Sequence, residues 1–73
     1  MRPSGAVARV TEVIADSEKS FEDAIMAGFK RASKTLRRIT GLRVKEQYAH
    51  VENNRILTFR VTLDIIFVLD DDT

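Results

Sequence analysis

The stretch from Ser20 to Ile39 constrains the fold of this chain more than any other segment. Its apolar residues recur at gaps of three or four, the spacing of one stripe on an α-helix; they are Phe21, Ala24, Ile25, Phe29, Ala32, Leu36 and Ile39. Ser20 is predicted to cap the start of this helix, with Asp23 reaching back to it, and Gly41 is predicted to cap its end. Because one helix cannot bury its own apolar stripe, the rest of the chain must supply a surface for it.

Three further segments are predicted to be β-strands. Residues 6–15 are rich in valine and isoleucine, residues 42–51 alternate and carry a charged face, and residues 56–69 alternate with one continuous apolar face. Asn53 and Asn54 separate the last two strands and tolerate the left-handed backbone of a tight hairpin. The order β-α-β-β predicts an α+β fold, in which a three-stranded antiparallel sheet curls around one helix with the third strand in the centre.

The length of 73 residues predicts a single domain over residues 6–70, between a flexible tail at 1–5 and an acidic stub at 71–73. A chain this short buries only about 60% of the surface that its unfolded form exposes. It contains no cysteine and one histidine, which argues against disulfides or a structural zinc site. We therefore expect oligomerisation, with Ile56, Ile66 and Val68 on the second face of the sheet against neighbouring subunits; the alternative is that they are ordinary exposed apolar residues.

Charge and hydropathy exclude several classes of function. The net charge is +1, from 12 basic and 11 acidic residues, whereas nucleic-acid-binding domains are usually more basic. The longest apolar run, residues 65–69, is too short to cross a membrane, and residues 1–6 are not followed by the apolar core expected of a signal peptide. We expect a cytoplasmic protein with neither nucleic acid nor membrane as a partner.

No catalytic constellation is visible in the sequence, so an enzyme is not expected. His50 is predicted to be a solvated strand residue, and Gly28 to mark the close approach of another helix or subunit, since glycine costs about 1 kcal/mol inside a helix. The basic run from Lys30 to Arg38 is interpreted as a solvated helix face, and the aspartates at 70–72 as a solubilising terminus.

Eight short segments, in their order and spacing, match one known family. They are Val10–Ile14, Asp16–Ser17, Ala24–Ile25, Arg31–Ala32, Lys34–Arg37, Leu42–Val44, Phe59–Leu63 and Phe67–Asp70. Together they resemble the dodecin family from Val7 to about Asp71. The resemblance implies a curled sheet around one helix and twelve subunits in tetrahedral symmetry. In typical members it also implies riboflavin or related flavins, such as FMN, at subunit interfaces.

Two departures fall on the residues that the resemblance assigns to flavin. Typical members place a tryptophan just after the helix, where it stacks on the flavin ring, and a glutamine in the third strand, which binds the flavin edge. The matching positions here are Gly41 and Arg60, and the chain contains no tryptophan. Arginine has donors only and cannot reproduce the amide's donor and acceptor. We expect riboflavin to bind weakly or not at all.

Two classes of function remain open. One is a hollow homododecameric shell that stores or buffers a small molecule or ion. In that shell, Arg43, Lys45 and Arg60, with Gly41, would meet an anionic ligand such as a phosphate-bearing cofactor. Glu46 occupies a position where the resemblance implies an acidic residue near bound cations. The alternative is a structural or interaction shell without a dedicated ligand.

Overall fold

The computed structural model describes residues 7–69 and contains one helix packed on one sheet. The elements in chain order are β1 (Ala8–Ser17), α1 (Phe21–Ala32), β2 (Ile39–Glu52) and β3 (Arg55–Val68). The sheet order is β1-β3-β2, with both pairs antiparallel. The predicted α+β fold with the third strand in the centre is confirmed. The expected tail at 1–5 and stub at 71–73 lie outside the described residues.

The start of α1 is held by a small hydrogen-bond network. Ser20 is the N-cap, and its Oγ accepts from the backbone N–H of Asp23 at 2.9 Å. The Asp23 carboxylate accepts instead from the buried hydroxyl of Ser17 at 2.7 Å, while the Ser17 oxygen accepts from the backbone N–H of Lys19 and Ser20. Ser20 therefore caps the helix as predicted. The Asp23 side chain bonds Ser17 and not Ser20, so that part of the prediction is wrong.

The helix ends at Ala32, seven residues before the predicted end at Ile39. The hydroxyl of Ser33 bonds the carbonyl of Lys30 at 2.9 Å, and the backbone N–H groups of Lys34 and Thr35 bond carbonyls three residues back. Such side-chain competition and tight turns end helices. Leu36 and Ile39 still pack against the core, although Leu36 lies in the segment after the helix and Ile39 is the first residue of β2.

Gly41 is not the helix cap that the sequence predicts. It lies inside β2, and its φ is outside the left-handed region. The left-handed residue between helix and strand is Arg38, with a φ of 60°. The prediction for Asn53 and Asn54 is confirmed, because they form the β2–β3 turn with φ values of 52° and 62°.

The core lies between α1 and the centre of the sheet. Five apolar residues of the described chain are buried: Ala24, Ala32, Val61, Leu63 and Ile65. Gly28 lets the helix approach β1 and β3, because a Cβ there would lie 2.9 Å from Leu63 Cδ1 and 3.2 Å from Ala15 Cβ. The predicted close approach at Gly28 is therefore to the sheet of the same chain, not to another helix or subunit.

The molecule is elongated and has a small core. Its radius of gyration is 15.2 Å and its longest dimension is 56 Å, whereas a compact domain of this length has a radius of roughly 11 Å. Ten large apolar side chains remain exposed in the described chain, among them Val10, Ile14 and Met26. Within residues 7–69, no helix has the length and apolar character needed to cross a bilayer.

Candidate functional site

The candidate site lies on the sheet surface that faces away from α1, here called the open face. Residues directly opposite each other in the register share a face, and the alternation in β3 turns Val61, Leu63 and Ile65 toward the helix. The open face therefore consists of cross-strand rows. In these rows Gly41 is paired with Ile66, Arg43 with Asp64, Glu46 with Thr62, and Tyr48 with Arg60.

A bulge in β2 brings Lys45 to the open face. The register shifts between Val44, which is paired with Leu63 on the helix side, and Glu46, which is paired with Thr62. Such a bulge re-aims side chains by inserting one extra residue. The Nζ of Lys45 donates to Glu12 Oε2 on β1 at 2.8 Å, across the central strand. The hydrogen bond and charge of Glu12 raise the pKa of Lys45 above its ordinary value.

Arg60 is held by a bidentate ion pair with Asp16. Its Nε donates to Oδ1 at 2.8 Å and its Nη2 donates to Oδ2 at 3.2 Å, between residues that are directly opposite in the β1–β3 register. Paired planar groups of this kind form well-oriented forks. The hydrogen bond from Arg60, with its charge, holds the pKa of Asp16 below its ordinary value.

Arg43 is the most weakly engaged of the three candidate cations. Its Nε lies 3.9 Å from Asp64 Oδ2, and its side chain is 63% exposed. At that distance it forms an ion pair but no direct hydrogen bond. Arg43 therefore retains more donor capacity for a ligand than Lys45 or Arg60.

Gly41 leaves an opening at one end of the open face. A Cβ built there would meet only Ile66 Cδ1, at 3.8 Å, which is ordinary van der Waals contact. The same row continues on β1 with Val10, which is paired with Ile66 and is exposed. Among residues 7–69, this row is apolar and contains no aromatic ring.

The predicted site residues share one face but do not converge on one point. Arg60 lies six residues along β3 from Ile66, the partner of Gly41, which is about 20 Å in a strand. Glu46 lies between them, opposite Thr62. In the part of the chain that the structure describes, no group of three or more acidic, histidine or cysteine residues is placed to hold a metal ion.

Two residues of this face were missed by sequence reasoning, namely Glu12 and Asp16 on β1. Their acidic side chains neutralise Lys45 and Arg60, respectively. The signal was present in the alternation of β1, because Glu12 and Asp16 are four residues apart and therefore share a face. Their pairing with specific cations depended on the register and the bulge, which the sequence does not show.

Comparison with models of protein families identifies the family of this chain. The family model described as Dodecin matches residues 7–70. The chain belongs to the dodecin family. A dodecin from Thermus thermophilus is 33% identical over 67 residues, which cover 92% of this chain and 97% of the relative.

Solved dodecin structures have the same fold. Dodecin from Streptomyces coelicolor superposes with a TM-score of 0.88 at 28% identity, covering 96% of this chain and all of that one. Another solved structure is the calcium-chelating immunodominant antigen of Mycobacterium tuberculosis, a calcium dodecin with a novel calcium-binding site. It superposes with a TM-score of 0.77 at 28% identity, covering 92% of this chain and 96% of that one. The shared fold supports a small ligand-binding, dodecin-like protein.

Proposed function

We propose that this dodecin is the subunit of a hollow homododecameric shell that binds a small molecule or ion where subunits meet. The observation that carries the proposal is the separation of the site residues along the open face. Gly41 and Arg60 lie about 20 Å apart on one strand pair, too far to contact one small ligand from the same chain. A second copy that brings its own open face alongside would complete the site.

The exposed apolar residues support assembly. Val10 and Ile14 are 54% and 63% exposed on β1, and the alternation places both on the open face beside Ile66 and Thr62. Contact between copies would remove this apolar area from water and add burial that the small core lacks. The open face would then hold both the subunit contacts and the ligand site.

We propose that flavin is bound weakly or not at all, because the residues present do not fit it. Gly41 supplies no ring for stacking, a loss of about 1–3 kcal/mol by analogy with base stacking. Arg60 has donors only, and its donors are already directed at Asp16. The described chain thus lacks both parts of the clamp that the resemblance implies for flavin.

The charged rows favour a compact ionic ligand. Arg43 is the first candidate for an anion, with Lys45 and Arg60 contributing if the ligand displaces Glu12 and Asp16. Glu46 is the candidate ligand for a cation, and the calcium-binding relative from M. tuberculosis supports this option. Because acidic and histidine side chains do not cluster within residues 7–69, a cation site at Glu46 needs carboxylates from neighbouring copies. A shell without a dedicated ligand is the alternative.

The remaining expectations complete the proposal. Residues 6–70 are taken as one domain that acts in the cytoplasm, with its own copies as the main partner and no nucleic acid or membrane partner. We assign it no catalytic role.

Riboflavin fluorescence tests the ligand proposal. The unmodified protein should quench riboflavin weakly or not at all. Gly41→Trp with Arg60→Gln should create strong quenching, because the indole can stack on the ring and the contact of a Cβ at position 41 is unstrained. Arg60→Gln alone is the control without a ring and should give little quenching. Tight binding of riboflavin by the unmodified protein would overturn this part of the proposal.

A further inference from the structure

An apolar groove lies on the other side of the sheet from the open face, between α1 and the edge strand β1. Its volume is about 390 Å³, and its walls include Val13 and Ala15 of β1, Ala27 and Arg31 of α1, and Leu36 beyond the helix. The small side chains of Ala27 and Ala15 keep the groove open. Ligand pockets in proteins are usually about 300–1,000 Å³, so a small organic molecule fits this groove.

Among the described residues that line the groove, Arg31 is the one cation. Arg31 is exposed and lies one turn after Ala27 on the same side of the helix. Within residues 7–69, Arg31 forms no ion pair, whereas Lys45 and Arg60 on the open face are each matched by a carboxylate.

The sequence around Arg31 strengthens this positive field. Residues 30–38 contain five basic residues and no acidic one, in a chain with a net charge of only +1. Clustered charge of one sign raises the local concentration of oppositely charged ligands. The groove thus combines an apolar wall with a guanidinium at its rim that has no ion-pair partner among residues 7–69.

We propose that this groove binds a soluble, single-chain amphipathic anion, such as a medium-chain carboxylate. The alkyl chain would lie against Val13, Ala27 and Leu36, which removes its apolar surface from water. The carboxylate would accept hydrogen bonds from the fork of Arg31, a geometry that suits carboxylates. This site is separate from the ligand site of the open face and does not depend on whether flavin binds.

Calorimetric titration with dodecanoate, below its micelle-forming concentration, tests the proposal on the full-length protein. Dodecanoate should bind, and Arg31→Gln should weaken its affinity at least tenfold, since hydrogen bonds to charged groups are among the strong ones. Lys30→Gln is the matched control. It removes the same charge from the adjacent position, and Lys30 lines a different depression on the helix. Its affinity should stay within twofold of the unmodified protein. Ala27→Phe should abolish binding by filling the groove.

Four results would overturn the proposal. The first is that dodecanoate does not bind. The second is that Arg31→Gln and Lys30→Gln lower the affinity for dodecanoate equally, as a general charge effect would. The third is that the protein floats with vesicles of phosphatidylcholine and phosphatidylglycerol while free dodecanoate does not bind, which would identify a membrane surface. The fourth is that Ala27→Phe changes the number of subunits in native mass spectrometry, which would show that a neighbouring copy fills the groove.

Discussion

The charged side chains of the open face are matched in pairs, and this matching determines what each can still bind. Asp16 engages Arg60 through two hydrogen bonds, Glu12 engages Lys45 through one, and Arg43 only approaches Asp64. Exposed ion pairs contribute little to stability individually, so the main consequence is for ligands. An anion at Arg60 must displace two hydrogen bonds to Asp16, whereas an anion at Arg43 competes only with Asp64, at 3.9 Å and without a hydrogen bond.

The pair of Asp16 and Arg60 predicts an acid-dependent loss of stability. Because Arg60 lowers the pKa of Asp16 in the folded state, the pair stabilises the fold above the ordinary pKa of Asp16. That contribution is lost as the pH falls below this value and through the folded pKa. Thermal unfolding measured from pH 6 down to pH 3 should show a steeper loss in the unmodified protein than in Arg60→Gln.

Arg43→Gln is the control for this pH dependence. It removes one positive charge from the same face, but from a contact of 3.9 Å without a hydrogen bond. Its acid dependence should follow that of the unmodified protein. Identical curves for all three proteins would contradict the assignment of the pair to Asp16 and Arg60.

At the level of elements, the sequence predicted which segments are helix and strand better than where they end. The apolar spacing of α1 and the alternation of β3 are long enough to identify both elements, and the two asparagines identify the hairpin. The end of α1 was missed because Leu36 and Ile39 continue the helical spacing after Ser33 has ended the helix. The bulge at Lys45 was missed because a register shift depends on how two strands pair.

Gly28 gives a prediction at this scale. Alanine usually stabilises a helix by about 1 kcal/mol relative to glycine, but a Cβ at position 28 would lie 2.9 Å from Leu63 Cδ1. Overpacking a core costs about 1–3 kcal/mol, so Gly28→Ala should lower the free energy of unfolding by about 1 kcal/mol. Urea denaturation measures this change.

Gly41→Ala is the matched comparison for Gly28→Ala. The new methyl group would make only ordinary contact with Ile66 Cδ1, at 3.8 Å. It should leave the free energy of unfolding within about 0.5 kcal/mol of the original value. If Gly28→Ala stabilises the protein instead, the helix does not approach β1 and β3 as closely as the structure indicates.

At the scale of the whole molecule, the predicted site residues were found on one face, but their separation follows only from the register. The family resemblance placed Gly41 and Arg60 in one ligand site, and its positive charge added Arg43, but neither gave the distance between these residues. The family resemblance supplied the expectation of a shell, and the elongated chain with exposed apolar residues supports it. Contacts between copies cannot be derived from the pattern of a single chain.

Val10 is the clearest residue with which to test whether the open face meets another copy. It is more than half exposed, so Val10→Asp should leave the single chain folded, whereas Ile66 is half-buried and a charge there would also disturb the fold. Burying an unpaired charge between copies is costly, so Val10→Asp should shift the protein to smaller assemblies in light scattering. Met26→Asp, at a residue of the helix with similar exposure, should keep the original size.

Native mass spectrometry of the protein purified from its own host tests the central proposal of a ligand-binding shell most directly, because it reports subunit number and retained ligand together. With a chain mass of 8.3 kDa, we expect a dominant species at about twelve times that mass, carrying bound ions or a small molecule other than flavin. A stable monomer or dimer at micromolar concentration would contradict the proposed assembly. A dodecamer that retains flavin would contradict the ligand assignment.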